Sequence, residues 1–260
     1  MNSIRIGNCS GYYGDRATAM SEMLEGGQLD YLTGDYLAEL TMLILGRDRL
    51  KDENLGYAKT FLRQLKDGLA LAQDRSVKIV VNAGGLNPAG LAGAIRELAT
   101  EQGLTVPVAY IDGDDMRERA ADLGRPDALA ANAYLGAFGI ARALDQGAEI
   151  VVTGRVTDAS VVVGPAISAF NWQRDDFDQL AGAVAAGHVI ECGTQATGGN
   201  FSGFLSFDRT KPLGFPIAEI AADGSSVITK HEGTGGAVTT DTVTAQLVDR
   251  KSTRLNSSHT

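Results

Sequence analysis

Cysteine is nearly missing from this chain: Cys9 and Cys192 are the whole supply in 260 residues. Two cysteines make no disulfide framework and no Cys-x-x-Cys knuckle, so a reduced, cytoplasmic setting is expected. Histidine is as scarce, with His188 and His231 the only two ahead of the last ten residues. Long apolar runs are lacking too. No stretch approaches the roughly 18 residues of a membrane span, and Ile4-Arg5-Ile6 opens strand-like with no basic leader, so neither a membrane partner nor a targeting segment is expected. Positive charge is also in deficit. The formal charge is -9 with pI ≈ 4.8, and Lys and Arg are scattered, whereas a surface that tracks phosphates needs a basic stripe. Nucleic acid is therefore not an expected partner.

What is present reads as alternating strands and helices. Length alone allows one large domain or two smaller ones. Ser3 to Cys9 reads as a strand, Leu29 to Leu32 as a second, and a helix follows in which Leu37, Leu40 and Ile44 share a face. Leu55, Ala58, Leu62, Leu65, Leu69 and Ala72 repeat at helical spacing. Val77 to Val81 is an almost continuous β-branched run, as expected of a strand covered on both faces of a parallel sheet. A helix to about Gln102 comes next, then strands at Val106 to Ile111 and Glu149 to Thr153 separated by a helix from Ala128 to Gln146. Further helices are expected at Val161 to Ile167 and Asp176 to Ala186, the latter closed by Gly187. Ile217 to Thr229 reads as a hairpin turning at Asp223-Gly224, and Val243 to Val248 as strand-like. The fold class implied is α/β: a mostly parallel sheet with helices on both faces in three layers, and an antiparallel hairpin extension near the C-terminus.

One stretch is too polar to be built only for packing. Gly187 to Phe204 gathers His188, Glu191, Cys192, Gln195, Thr197, Asn200 and Ser202 among five glycines, including Gly198 and Gly199. His188 and Glu191 are candidate acid–base groups. Cys192 is a nucleophile if a neighbouring cation lowers its pKa and an inert buried thiol otherwise. A metal held by His188, Glu191 and a distant carboxylate finds no compact ligand spacing, so no metal site is assigned.

Other candidates follow the strands directly. The loop from Ser10 to Arg16 either turns the chain or contributes to binding. Asp35 stands where a strand hands over to a helix, as a cap or as a site residue. Asn82-Ala-Gly-Gly-Leu-Asn-Pro88 joins a buried strand to a helix, with Asn87 placed to cap it and Pro88 at its first position. Gly84-Gly85 there would let backbone N–H groups converge on an anion, although the loop is neither a G-x-G-x-x-G nor a P-loop. Asp112 to Asp115 is expected to cap a helix rather than hold a cation. Arg155 emerges at a strand end beside Asp158, either to meet an anion or to pair with that carboxylate. A second Gly-rich loop spans Glu232 to Gly236.

Lys251 to Thr260 is polar and aperiodic and resembles translated adaptor read-through; residues 250–260 are set aside as a non-native tail. The domain is then 1–249, and the native chain is expected to continue past Asp249.

Four ordered blocks carry a family resemblance: Leu32-Thr-Gly-Asp-Tyr-Leu-Ala-Glu39 with Thr41-Met42, Asn82 to Pro88, Val152-Thr-Gly-Arg-Val-Thr-Asp-Ala-Ser160, and Gly187 to Gly193 leading to Thr197-Gly-Gly-Asn-Phe201. Together, from Ile4 to about Leu247, they resemble the acyclic terpene utilisation family, AtuA type. The resemblance implies a bacterial cytosolic protein linked to breakdown of branched acyclic terpenoids such as citronellol and geraniol, by way of acyl-CoA intermediates. It also implies a further segment beyond this chain.

Because Asp35, Asn82 to Asn87, Asp112 and Arg155 all fall directly after strands, they are expected to share one cleft at the carboxyl ends of a parallel sheet. The leading expectation is an enzyme acting on a carboxylate or CoA thioester. Asn82, Gly84, Gly85, Asn87, Arg155, Asp158 and Ser10, with Gly198, Gly199 and Asn200, would hold the anion, and His188, Glu191, Cys192 and Asp35 would supply the chemistry. The alternative is a non-catalytic binding or scaffold subunit, working as a homo-oligomer or beside a partner. No cofactor is assigned.

Overall fold

The computed structural model describes residues 3–256. Five strands run parallel: β1 (Ser3–Asn8), β2 (Tyr31–Gly34), β3 (Lys78–Val81), β4 (Val108–Ile111) and β5 (Ile150–Thr153). A hairpin of β6 (Pro216–Ala221) and β7 (Ser226–Lys230) adds antiparallel to β1, giving the order β4-β5-β3-β2-β1-β6-β7. The expected α/β class, parallel sheet and antiparallel extension are all present.

Period-two alternation along the strands divides the core. Leu32, Ile79, Val81, Ile150 and Val152 face one side, where they pack under α1 (Ala19–Gly26), α3 (Lys59–Asp74) and α4 (Pro88–Glu101). Tyr31, Val80 and Val151 face the other, under α5 (Phe138–Asp145), α6 (Ser160–Phe170) and α7 (Phe177–Ile190). Strands this deeply covered must be apolar on both faces, which is why β3 and β5 read as unbroken β-branched runs.

The helix α2 (Glu39–Lys51) joins neither layer. It lies on the loops at the carboxyl edge, where Met42 and Leu45 close a small patch with Leu37 and Leu86. The expected stripe of Leu37, Leu40 and Ile44 is therefore corrected: Leu37 precedes the helix, and Leu40 and Ile44 point to solvent. A helix seated on loops buries only a narrow strip, so its outward apolar residues mimic a core face in the sequence.

Four other expectations change. Leu55 and Ala58 lie ahead of α3, which starts at Lys59. The helix expected from Ala128 begins only at Phe138, because the preceding residues pair as bridges, Asp115 with Asn132 and Leu135 with Val156. Gly187 does not close α7; the helix runs on to Ile190, and Gly187 packs against Ala159 at the start of α6. Val243 to Val248 is helical, within α8 (Thr240–Asn256), where Gln246 is buried and its Nε2 donates to the His188 carbonyl at 2.7 Å. The β-branched alternation there is overridden by packing on the segment around Gln195. The helix crosses the expected boundary at Asp249, and residues 257–260 lie outside the described residues.

Candidate functional site

β3 and β5 are neighbours, yet α4 follows β3 onto one face and α6 follows β5 onto the other. In open α/β sheets, connections that part in this way mark the place, outside the carboxyl ends of the two strands, where ligands bind. The loops bordering it are those of Asn82 and Arg155.

Asn82 and Asp35 meet there. The Asn82 Nδ2 donates to Asp35 Oδ1 at 2.6 Å, while its Oδ1 accepts the Tyr36 N–H at 2.8 Å. The Leu37 N–H donates to the same Asp35 oxygen at 3.2 Å, and the Asp35 N–H donates to the Ser10 carbonyl at 2.9 Å. Asp35 caps no helix: α2 begins four residues later with Ala38 at its cap and no side-chain bond. Burial, with Asp158 nearby, pushes the Asp35 carboxyl up to about 7; the bonds from Asn82 and Leu37 and the charge of Arg155 pull the other way and do not win. A carboxyl poised near neutrality in a strand-end crevice is the kind of group acid–base chemistry uses.

Arg155 is bound into the same place. Its Nη1 donates to the Leu37 carbonyl at 2.6 Å and its Nη2 to the Tyr134 hydroxyl at 2.9 Å. The guanidinium carbon stacks 4.6 Å from the Tyr134 ring centroid, and Asp158 Oδ1 lies 3.5 Å from Nη2. The pairing with Asp158, one of the two readings left open, is present. The Arg155 N–H donates to Asp114 Oδ2 at 2.6 Å, and Asn132 Nδ2 reaches the same oxygen at 2.8 Å. Asp114 thus fixes the Arg155 loop. Asp115 accepts the Arg117 N–H at 3.0 Å just ahead of a 3-10 turn whose cap residue is Met116 and which has no side-chain cap bond, so the carboxylate closes a local turn and does not cap a helix as expected.

The Gly84-Gly85 loop is more committed than expected. The Gly84 N–H donates to the Thr153 carbonyl at 2.9 Å, and the Leu86 and Asn87 N–H groups go to Gly56 and Gly84 carbonyls. Glycine is required at 84 by close approach, since a Cβ there would lie 2.5 Å from that Thr153 oxygen. Gly85 sits under Leu45 of α2. Asn87 caps α4 as expected, its Oδ1 accepting the Gly90 N–H at 2.9 Å with Pro88 at the first position.

His188 and Glu191 occupy the same edge beside β1. They sit at the end of α7, His188 Nδ1 being 3.2 Å from Glu191 Oε1, with the carboxylate buried and the imidazole about a third exposed. Asn8, at the end of β1, anchors them by donating to the Ile190 carbonyl at 2.6 Å and the Glu191 carbonyl at 3.2 Å. Cys192, half-buried, follows directly; the Cys192-Gly193 backbone presses on Gly11, where a Cβ would meet it at 2.4 to 2.5 Å. The loop after β1 thus touches both groups, through Ser10 to Asp35 and through Gly11 to Cys192. Gly198, Gly199 and Asn200 turn elsewhere: Gly198 lies on the Phe207 ring, the Gly199 N–H donates to the Thr194 carbonyl, and Asn200 Nδ2 reaches the Ala245 carbonyl of α8 at 3.2 Å. The Glu232 to Gly236 loop is packed as well, Gly236 lying against the Thr197 and Leu213 carbonyls.

Asn8 and Tyr134 are not among the sequence candidates, and Asp114 enters there only as one of the carboxylates of Asp112 to Asp115, expected to cap a helix. Asn8 and Asp114 follow the same rule as Asp35, polar residues at a strand's carboxyl end. Tyr134 had no such signal, because it was placed inside a helix. Among the described residues, no group of three or more His, Cys, Asp or Glu side chains is arranged to hold a metal ion, and no helix is long and apolar enough to cross a membrane.

A family model described as acyclic terpene utilisation family protein AtuA matches residues 4–249. Comparison with curated proteins and with solved structures gives no match.

Proposed function

Because this chain belongs to the acyclic terpene utilisation family, we propose that it is an enzyme acting on a branched carboxylate, or its CoA thioester, formed as citronellol- or geraniol-type terpenoids are broken down. The reaction centre is the carboxyl-edge crevice, and Asp35 is its acid–base group. The observation that carries this reading is a carboxyl raised to about 7 with Asn82 and Arg155 built around it. Arg155 and Asn82 tune and orient Asp35. Because the Gly84 N–H and the guanidinium already have partners within the chain, they are weaker support for an anion grip than the spacing suggested. His188, paired with Glu191, supplies a second proton-transfer group on the same edge.

The test is turnover of branched acyl-CoA thioesters and their free acids by the full chain and by its Asp35→Asn and His188→Ala variants. Wild-type activity should show a pH limb near 7 that disappears in Asp35→Asn while the variant stays folded. Equal turnover in wild type and Asp35→Asn would remove Asp35 from the chemistry. A non-catalytic partner-binding role is the second reading, favoured by the outward Leu40, Leu43, Ile44 and Leu50 of α2. A scaffold would have no turnover to lose and would keep its partner in both variants.

A further inference from the structure

Asp35, Asn82 and Arg155 are each no more than 5 % exposed, so a reactant meets the Asp35 carboxyl only if something moves. The element lying over them is α2. Among the described residues it contributes to neither of the two large cores; Met42 and Leu45 pack into the small patch with Leu37 and Leu86, flanked by Tyr13 and Ala130. Its polar ties include Tyr134 to Glu39 at 2.9 Å, Arg155 to Glu39 at 3.9 Å, Arg49 to the Leu86 carbonyl, and a partly exposed Lys59–Asp48 pair at 3.2 Å. The segments on either side are pinned. Before α2, the Asp35 and Tyr36 N–H groups go to Ser10 and Asn82; after it, the Gly56 carbonyl accepts the Leu86 N–H and the Ala58 N–H donates to Ala83.

We infer that α2 is a lid, which swings off the crevice between these two fixed segments and closes over bound ligand; the inference rests on reading the crevice as the reaction site. Few buried contacts and largely solvent-facing apolar side chains place a helix at the low end of local stability, where lids are found. The mouth it uncovers is apolar at Leu37 and Leu86, with Met42 and Leu45 on the lid's own underside facing them, and polar at its floor, at Asp35 and Arg155. That combination suits a ligand with an apolar chain and one polar or anionic head.

Hydrogen exchange on the full chain tests the lid without any substrate. Amides in α2 should exchange at least about tenfold faster than those in the buried turns of α3. A Cβ at Gly46 would lie 3.5 Å from that of Leu129, inside the range a disulfide spans. In the Gly46→Cys/Leu129→Cys variant, oxidation should slow α2 exchange to the α3 level and dithiothreitol should restore it. Decanoate, as a probe with a chain and a head, should slow α2 exchange in the reduced variant and do nothing further in the oxidised one. Wild-type α2 amides as slow as those of α3 would overturn the lid, and that comparison decides even if the disulfide does not form. An α2 unmoved by millimolar decanoate would overturn the ligand class. An opening α2 on a chain with no turnover would refute the proposed enzyme and leave the lid standing.

Discussion

The two ends of the same parallel strands handle charge in opposite ways. At the amino ends it stands in water: Arg5 pairs with Glu219 at 3.1 Å with side chains 35 % and 39 % exposed, and Asp30 accepts the Arg5 N–H in the open. At the carboxyl ends the ionisable Asp35, Asp114, Arg155 and Glu191 are buried. Exposed pairs contribute about 0 to 1 kcal/mol and can be exchanged freely. Buried charges lose hydration that their partners only partly replace. A fold selected for stability alone would not concentrate the second kind at one end, so the asymmetry points to use.

Four substitutions sharpen or break that contrast. Arg155→Met should have the largest effect, about 3 to 5 kcal/mol lost in urea unfolding, because it strands the groups that the guanidinium now neutralises and bonds. A loss under about 1 kcal/mol would place Arg155 with the amino-end charges. Asp35→Asn should act through pH. Its folded-state pKa, about 7, lies above the ordinary 3.8, so the unfolded chain gives up its proton first as pH rises. The wild type therefore loses stability from about pH 4 to 7 and holds level above. The variant, having no proton to lose, should gain on it over that window by a few kcal/mol; a difference that is flat with pH would mean Asp35 is not held neutral. Asn82→Ala should cost about 1 to 3 kcal/mol, since it leaves the Tyr36 N–H and the Asp35 carboxyl each one partner short in a buried site. Arg5→Ala should move the midpoint least, by no more than about 1 kcal/mol and less at high salt. A larger loss there would erase the contrast.

Much of this was legible in the chain itself. The runs Val77 to Val81 and Glu149 to Thr153 announced doubly covered strands, Asn87-Pro88 announced the start of α4, and Asp223-Gly224 announced the hairpin turn. Those are local signals that packing reinforces. Asp35, Asn82 and Arg155 could be placed on one edge because a parallel sheet puts the residues after its strands together. What failed depended on tertiary context. Whether Leu40 faces core or solvent turns on α2 lying over loops, and whether Gly187 ends α7 turns on Ala159 being close enough to use the missing side chain. The Gly84 amide is taken by the Thr153 carbonyl, from a strand some seventy residues on, and no loop pattern encodes that. Asp35's near-neutral carboxyl is likewise invisible in sequence, because its cause is burial.

β1 carries one more consequence. It pairs with β2 on one side and with β6 on the other, Ser3 standing opposite Ala221. As the chain leaves the ribosome, that second flank has no mate until β6, at Pro216–Ala221, has been made. A bare strand edge invites the wrong neighbour, and contacts this distant in sequence form slowly. The closing hairpin is therefore the late seal on the first strand, and the Asn8 that positions His188 and Glu191 waits on the same event.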